Sequence, residues 1–172
     1  MRILRRSLAA AALTVAAAGT LLGITAGAAN AASPMTVRLT PASNLLLTVE
    51  VSGASYDNGA SIDQWTLNGG ANQVWNFVPV GSGYEIVNAR SGKCLTTDNV
   101  PGDAVYQYTC LGALTQLWST SLQAGNGYAY TIGSESSGLV LDVNGASPWA
   151  GASIDTWYFN GGSNQYFAAT GA

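Results

Sequence analysis

Two sets of side chains repeat along this chain at the same spacing. Glu50, Asp63, Trp65, Asn72 and Gln73 form the first; Asp142, Asp155, Trp157, Asn164 and Gln165 form the second, 92 residues later. An ionised carboxylate is a strong two-oxygen acceptor, and a carboxamide both donates and accepts, so each set can satisfy the hydroxyls of a polar ligand. The electron-rich face of an indole attracts polarised C–H groups. Each set also holds two acids 13 residues apart, which admits a second chemistry: one acid and one base in glycoside hydrolysis. Histidine is absent, which removes Ser-His-Asp and Cys-His catalysis and the commonest zinc ligand. No run of oxygen ligands has calcium-loop spacing, so no metal and no cofactor is expected.

The elements that must position these residues are themselves duplicated. Val51–Phe77 and Val143–Ala169 align without a gap, with 15 of 27 positions identical. The offset of 92 is twice 46, inside the range of repeat architectures, so a third copy is expected between the two. It is present in degraded form. Thr115-Gln116-Leu117-Trp118 lies between Asn72-Gln73-Val74-Trp75 and Asn164-Gln165-Tyr166-Phe167, with steps of 43 and 49 residues between the glutamines. Short β-rich runs bounded by turn residues recur in each copy. The first copy has Thr36–Leu39, Leu45–Val51, Ile62–Leu67 and Gln73–Val80. The second has Tyr84–Val87, Cys94–Thr97, Val105–Cys110 and Leu117–Ser119. The third has Tyr128–Ile132, Gly138–Val143, Ile154–Phe159 and Gln165–Ala168. Asn68-Gly69-Gly70 reads as a tight turn between two strands. No window has sustained helical periodicity. The expectation is an all-β domain of three pseudo-symmetric repeats of about 46 residues with about twelve short strands. Within it, Asp63 and Trp65, two apart on a strand, share a face.

Residues 1–31 read as a secretory signal peptide: Arg2, Arg5 and Arg6, then an Ala- and Leu-rich run, then Ala29-Asn30-Ala31 as the cleavage pattern. The run Leu8–Ala29 is also long enough to span a bilayer. Cleavage leaves residues 32–172 as one domain, with repeats at 35–80, 84–122 and 128–169. Three basic residues (Arg38, Arg90, Lys93) stand there against nine acidic ones, a net charge of −6. Such a chain has no phosphate-neutralising stripe, so neither nucleic acid nor a membrane surface is an expected partner. Cys94 and Cys110 are the only cysteines, and an exported chain is expected to oxidise them to a disulfide.

The three Gln-x-aromatic motifs, Gln73-Val74-Trp75, Gln116-Leu117-Trp118 and Gln165-Tyr166-Phe167, together with Ser91-Gly92-Lys93-Cys94-Leu95 and Cys110, resemble the ricin B-type lectin domain over Thr36–Ala169. That resemblance implies a β-trefoil, an intra-repeat disulfide, and a shallow sugar pocket in each intact repeat. It implies an acid two residues after the first cysteine position, a polar residue about 13 later, an aromatic two further on, and an Asn beside the motif Gln. The first repeat fills these places with Glu50, Asp63, Trp65, Asn72 and Gln73, and the third with Asp142, Asp155, Trp157, Asn164 and Gln165. The second has Thr96, Tyr106, Tyr108 and Thr115, with no carboxylate at the first place, and is expected to bind weakly or not at all. The cysteine places of the other repeats hold Thr48 and Leu67, and Val140 and Phe159; mostly apolar replacement suggests a core-facing crosslink.

Plainer roles compete for several of these residues. Trp75, Trp118 and Phe167 read as core, and Gln73, Gln116 and Gln165 as buried amides that satisfy backbone. Asp63 and Asp155 could be turn or strand-edge acids, and Trp65 and Trp157 could be core. Trp149 stands where the first repeat has Asp57, as an exposed stacking platform or a loop anchor. Glu50 and Asp142 are expected at the surface. The function expected is a secreted, non-catalytic carbohydrate-binding protein for galactose-, xylose- or arabinose-containing glycans. The alternatives are a protein-interaction or inhibitor domain with vestigial sugar sites, and a glycoside hydrolase using Glu50 and Asp63.

Overall fold

The structure, a computed structural model, describes residues 34–122 and 129–172; the signal-peptide reading of residues 1–31 lies outside them. Twelve strands and no α-helix occupy the described residues. In the first repeat these are β1 (Met35–Pro41), β2 (Leu47–Val51), β3 (Ile62–Thr66) and β4 (Trp75–Val80). The second contributes β5 (Gly83–Asn88), β6 (Cys94–Thr96), β7 (Tyr106–Tyr108) and β8 (Leu117–Leu122). The third contributes β9 (Ala129–Ser134), β10 (Val140–Val143), β11 (Ile154–Trp157) and β12 (Phe167–Gly171).

The first and last strand of each repeat build a barrel. β1 pairs with β4, β4 with β5, β5 with β8, β8 with β9, β9 with β12, and β12 with β1, all antiparallel, so the ring closes. Closure leaves no open edge in the barrel. The middle strands form three hairpins, β2–β3, β6–β7 and β10–β11. Single bridges join the hairpins to one another: Ser61 to Tyr106, Asp63 to Ser153, and Ala104 to Asp155. Barrel and hairpin triplet together make a β-trefoil.

Alternation along the strands explains the core. In β1, Val37 and Leu39 point in while Thr36, Arg38 and Thr40 are more open. Residues Val51, Ile62, Val105, Val143 and Ile154 fill the hairpin end and are wholly buried. Trp75 and Phe167 open β4 and β12, Trp118 is the second residue of β8, and all three are wholly buried. The two indole N–H groups donate to Val49 O and Leu95 O, each at 3.0 Å. Those carbonyls belong to the residues just before Glu50 and Thr96, so the core aromatics hold the strands that carry the site positions. These residues are core, not ligand platforms.

The Cys94–Cys110 disulfide is formed, across 16 residues of chain. By loop-closure entropy such a crosslink contributes about 3 kcal/mol. It joins a buried residue to a partly exposed one. The corresponding places confirm that mixed setting: Thr48 and Val140 are buried, but Leu67 and Phe159 are exposed. The expectation of a wholly core-facing site is therefore corrected. Thr48 donates to Leu39 O at 3.1 Å, and Phe159 meets Tyr166 edge-on at 6.1 Å. Asn68-Gly69-Gly70 is also not a hairpin turn. β3 belongs to the hairpin layer and β4 to the barrel, so the chain passes between layers and enters a 3-10 turn at Ala71–Gln73.

Candidate functional sites

The motif glutamines are structural anchors for the candidate acids. Gln73 is fully buried. Its Oε1 accepts from Asn68 N at 2.9 Å, and its Nε2 donates to Thr66 O at 2.9 Å and to Glu50 Oε2 at 2.6 Å. Gln165 repeats the pattern with Asn160 N at 2.8 Å, Tyr158 O at 2.9 Å and Asp142 Oδ2 at 2.8 Å. Gln116 repeats it with Leu111 N at 2.8 Å, Thr109 O at 2.9 Å and Thr96 Oγ1 at 3.1 Å. In each repeat one amide closes the chain segment and also fixes the side chain two residues after the first cysteine position. Gln73 and Gln165 thus lie beneath the pockets and hold the acids from behind.

Glu50 and Asp142 are only 5% exposed, so the expectation of surface acids is corrected. Each lies opposite the second acid of its set, Glu50 across from Asp63 and Asp142 across from Asp155. Directly opposed side chains share a face. The first pair lines an open pocket of about 340 Å³ with Ser52, Gly53 and Trp65. The second lines one of about 460 Å³ with Gly102, Asn144, Gly145, Ala146, Trp157, Asn160 and Asn164. Trp65 and Trp157 are each 42% exposed, which removes the core reading for them.

The amides differ between the sites. Asn164 Nδ2 donates to Asp142 Oδ1 at 2.7 Å. Asn72 Nδ2 donates instead to Val51 O at 3.2 Å. Asp142 thus accepts from protein donors on both oxygens, while Glu50 does so on Oε2. Asp155 accepts from Asn144 Nδ2 at 2.6 Å, and Ser52, 92 residues before Asn144, lines the same pocket as Asp63. The sequence reading missed this pair, although both are polar at the first position after the strand that carries the first acid.

Burial raises the pKa values of Asp63, Asp142 and Asp155. Burial, with Glu50's charge as a smaller contribution, pushes Asp63 from 3.8 up to about 6 against the opposing influence of the nearby Ser52 hydroxyl. Burial also raises Asp142, and burial plus the Asp142 charge raises Asp155. Asp63 Oδ1 and Asp155 Oδ1 are buried with no hydrogen-bond partner in the chain. A raised acid keeps its proton in the folded state at pH values where the unfolded chain has lost it. The stabilisation from Asp63 protonation is therefore full below 3.8 and lost as pH rises through about 6.

A wall of each site comes from another repeat. Gly102 of the second repeat donates to Thr156 O at 2.8 Å, and Gly151 of the third donates to Gln64 O at 2.7 Å. Both glycines have positive φ, 88° and 86°. A Cβ on Gly102 would meet the Trp157 ring at 3.1 Å, and one on Gly151 the Trp65 ring at 3.3 Å. Gly serves at both places because it tolerates this backbone and lets it approach the indole. The second repeat's own positions carry no acid pair. Thr96 accepts from Gln116 and donates to Cys94 O at 2.9 Å, and Tyr106 donates to Asp98 at 2.7 Å. Among the described residues no cluster of three or more His, Cys, Asp or Glu could hold a metal ion.

No curated protein matches the sequence significantly. Among solved structures, a designed threefold-symmetric protein, ThreeFoil, is 30% identical, with a TM-score of 0.74 over 80% of this chain and 99% of its own. An exo-β-1,3-galactanase from Clostridium thermocellum is 31% identical, with a TM-score of 0.74 over 80% of this chain; the match spans only 30% of the galactanase. A ricin B-like lectin from Macrolepiota procera, solved in complex with lactose, shares the fold at 21% identity, with a TM-score of 0.70 over 82% of this chain and 98% of its own. The family described as "Ricin-type beta-trefoil lectin domain-like" matches residues 29–108, 81–157 and 114–172. With the closed barrel, the hairpin triplet and the three anchored Gln-x-aromatic motifs, these matches show that the chain belongs to the ricin-type β-trefoil lectin family.

Proposed function

We propose that the protein is a secreted, non-catalytic lectin that binds sugars through Glu50, Asp63, Trp65 and Asn72 in its first repeat. Asp142, Asp155, Trp157 and Asn164 form the matching site in its third, and Gln73 and Gln165 hold the acids in place. The observation that carries this reading is duplication. The same acid pair and half-exposed indole recur at symmetry-related places, each lining an open pocket. Paired carboxylates accept hydroxyl protons while the indole takes the C–H face of a pyranose. The lactose-bound relative supports a galactose-containing glycan; xylose- and arabinose-containing glycans offer the same donors.

Hydrolysis is disfavoured by placement. A glycosidase flanks the scissile bond with its two acids. Glu50 and Asp63 are cross-strand neighbours on one face of a hairpin, so both approach a ligand from one side. A glycan array carrying galactose, xylose and arabinose oligomers tests the binding reading, with a reducing-sugar assay on the positive oligomers beside it. Binding without release of reducing ends is the expected result. No binding on any array spot overturns the reading, and sugar release overturns its non-catalytic part.

Proton linkage gives a second test. A hydroxyl donating to Asp63 favours the ionised form, so binding lowers its pKa and releases protons near pH 6. Calorimetry at pH 6 in two buffers of different ionisation enthalpy should give different heats, and affinity should weaken from pH 7 to pH 5. Equal heats and a flat profile would count against Asp63 as an acceptor. Unfolding free energy should contain the opposite trend from this group, falling between pH 4 and about 6.

A further inference from the structure

The two sites differ at the wall that a neighbouring repeat supplies. Two residues before Gly102, beside the third-repeat site, stands Val100. Two residues before Gly151, beside the first-repeat site, stands Trp149. Trp149 is 76% exposed, yet its loop is firmly tied. Trp149 O accepts from Gln64 Nε2 at 2.8 Å, and Ser147 O accepts from the same nitrogen at 2.8 Å. Pro148 O accepts from Asn44 Nδ2 at 2.9 Å. Gln64 is the residue next to Trp65, so these bonds hold the third repeat's loop directly against the first-repeat platform. Two residues of chain reach at most about 7 Å, which keeps the Trp149 backbone near Gly151, where an added Cβ would meet the Trp65 ring at 3.3 Å.

These three bonds use backbone carbonyls of residues 147–149, the Gly151 N–H adds a fourth tie to Gln64 O, and none uses the indole of Trp149. The loop-anchor role therefore belongs to the backbone, and the ring is left free on a rigid support. A large exposed aromatic held this way loses little freedom on stacking. The first repeat's equivalent, Asp57, faces the second repeat, which lacks the acid pair, through the same geometry, with Asp57 O accepting from Gln107 Nε2 at 3.0 Å.

We propose that Trp149 is a second stacking platform that extends the first-repeat site, so that this site takes a glycan of two or more sugar residues. The third-repeat site, with Val100 in that place, takes a single residue. This inference rests on the lectin reading. Trp65 holds one pyranose over the Glu50–Asp63 pair, and Trp149 takes the next ring along the chain.

The test is calorimetry with galactose, galactobiose and lactose, and with xylose and xylobiose, on the protein and on Trp149→Ala and Val100→Trp. In the parent protein a disaccharide should bind one site about tenfold more tightly than its monosaccharide, the size of one aromatic stacking contact. Trp149→Ala should abolish that preference and leave monosaccharide binding at both sites intact. Val100→Trp should confer the preference on the other site, and Asp142→Ala in the same chain should remove it there. Two monosaccharide sites with no effect of Trp149→Ala on disaccharide affinity would overturn this inference and leave the lectin reading standing. Absence of binding by every sugar in the parent protein would overturn both.

Discussion

Replacing Glu50 or Asp142 with alanine should reduce monosaccharide binding from two sites per chain to one, and the double replacement should leave none. Each acid supplies charge-assisted acceptance of sugar hydroxyls, about 1.5–3 kcal/mol per bond. Single sugars in shallow pockets bind near millimolar, about −4 kcal/mol, so one such loss silences a site. The surroundings of the two acids make the conservative variants unequal. Glu50 accepts from Gln73 on Oε2, so Glu50→Gln can keep that bond through its carbonyl oxygen. Asp142 accepts on both oxygens, from Asn164 and Gln165. Asp142→Asn must turn an NH2 group toward one of those donors. Glu50→Gln should therefore lose its site with little change in thermal stability, while Asp142→Asn loses its site and destabilises the fold by about 1–3 kcal/mol. Thr96→Ala, in the repeat without the acid, should leave the stoichiometry at two. Polymer binding should fall more steeply than monosaccharide binding if both sites reach one glycan, because the second contact is intramolecular. Calorimetric stoichiometry with thermal melts on the same samples checks all of this. Undiminished binding by the double variant would remove these acids from the site and place sugar recognition on other residues.

Much of this arrangement was legible because it is local or repeated. Twelve strands stand where β-rich runs alternate with turn residues. The acids, indoles and amides could be read because a gapless duplication carries them at equal spacing. What escaped is contact between elements distant in sequence. Nothing local to Asp63 or Trp65 shows that Gly151 covers the ring edge, or that Gln64 reaches to Ser147 and Trp149. Those contacts follow from the hairpin triplet, which sets each repeat's loop beside the next repeat's platform. Burial of Glu50 and Asp142 escaped for a similar reason. An acid on an alternating strand reads as solvent-facing, but here the motif glutamine packs behind it and the opposing acid lies beside it. Asn68-Gly69-Gly70 has the composition of a hairpin turn, and only the assignment of β3 and β4 to different layers shows otherwise.

Trp118→Ala should destabilise the protein by about 3–5 kcal/mol, the cost of emptying a large core aromatic. That is a large share of the 5–15 kcal/mol that about holds a domain folded. The ring is wholly buried where β5, β8 and β9 meet, with Trp118 paired to Tyr84 and to Ser134. Its indole N–H also holds Leu95 O at 3.0 Å. Trp118→Phe should cost far less, because the third repeat already carries Phe167 at this place, fully buried and with no indole donor. The lost hydrogen bond then contributes about 1 kcal/mol, plus a smaller cavity. Both variants lie in the repeat without the acid pair, so the folded fraction should still bind sugar at two sites with parent affinity. Urea unfolding measures the stability change, and calorimetry in the absence of urea measures the sites. A small effect of Trp118→Ala would mean that the three motif aromatics are not the shared core of the trefoil. A normal fold with lost binding would mean that the repeats are coupled through Leu95 and the bridges between hairpins, and that the two sites do not act as separate units.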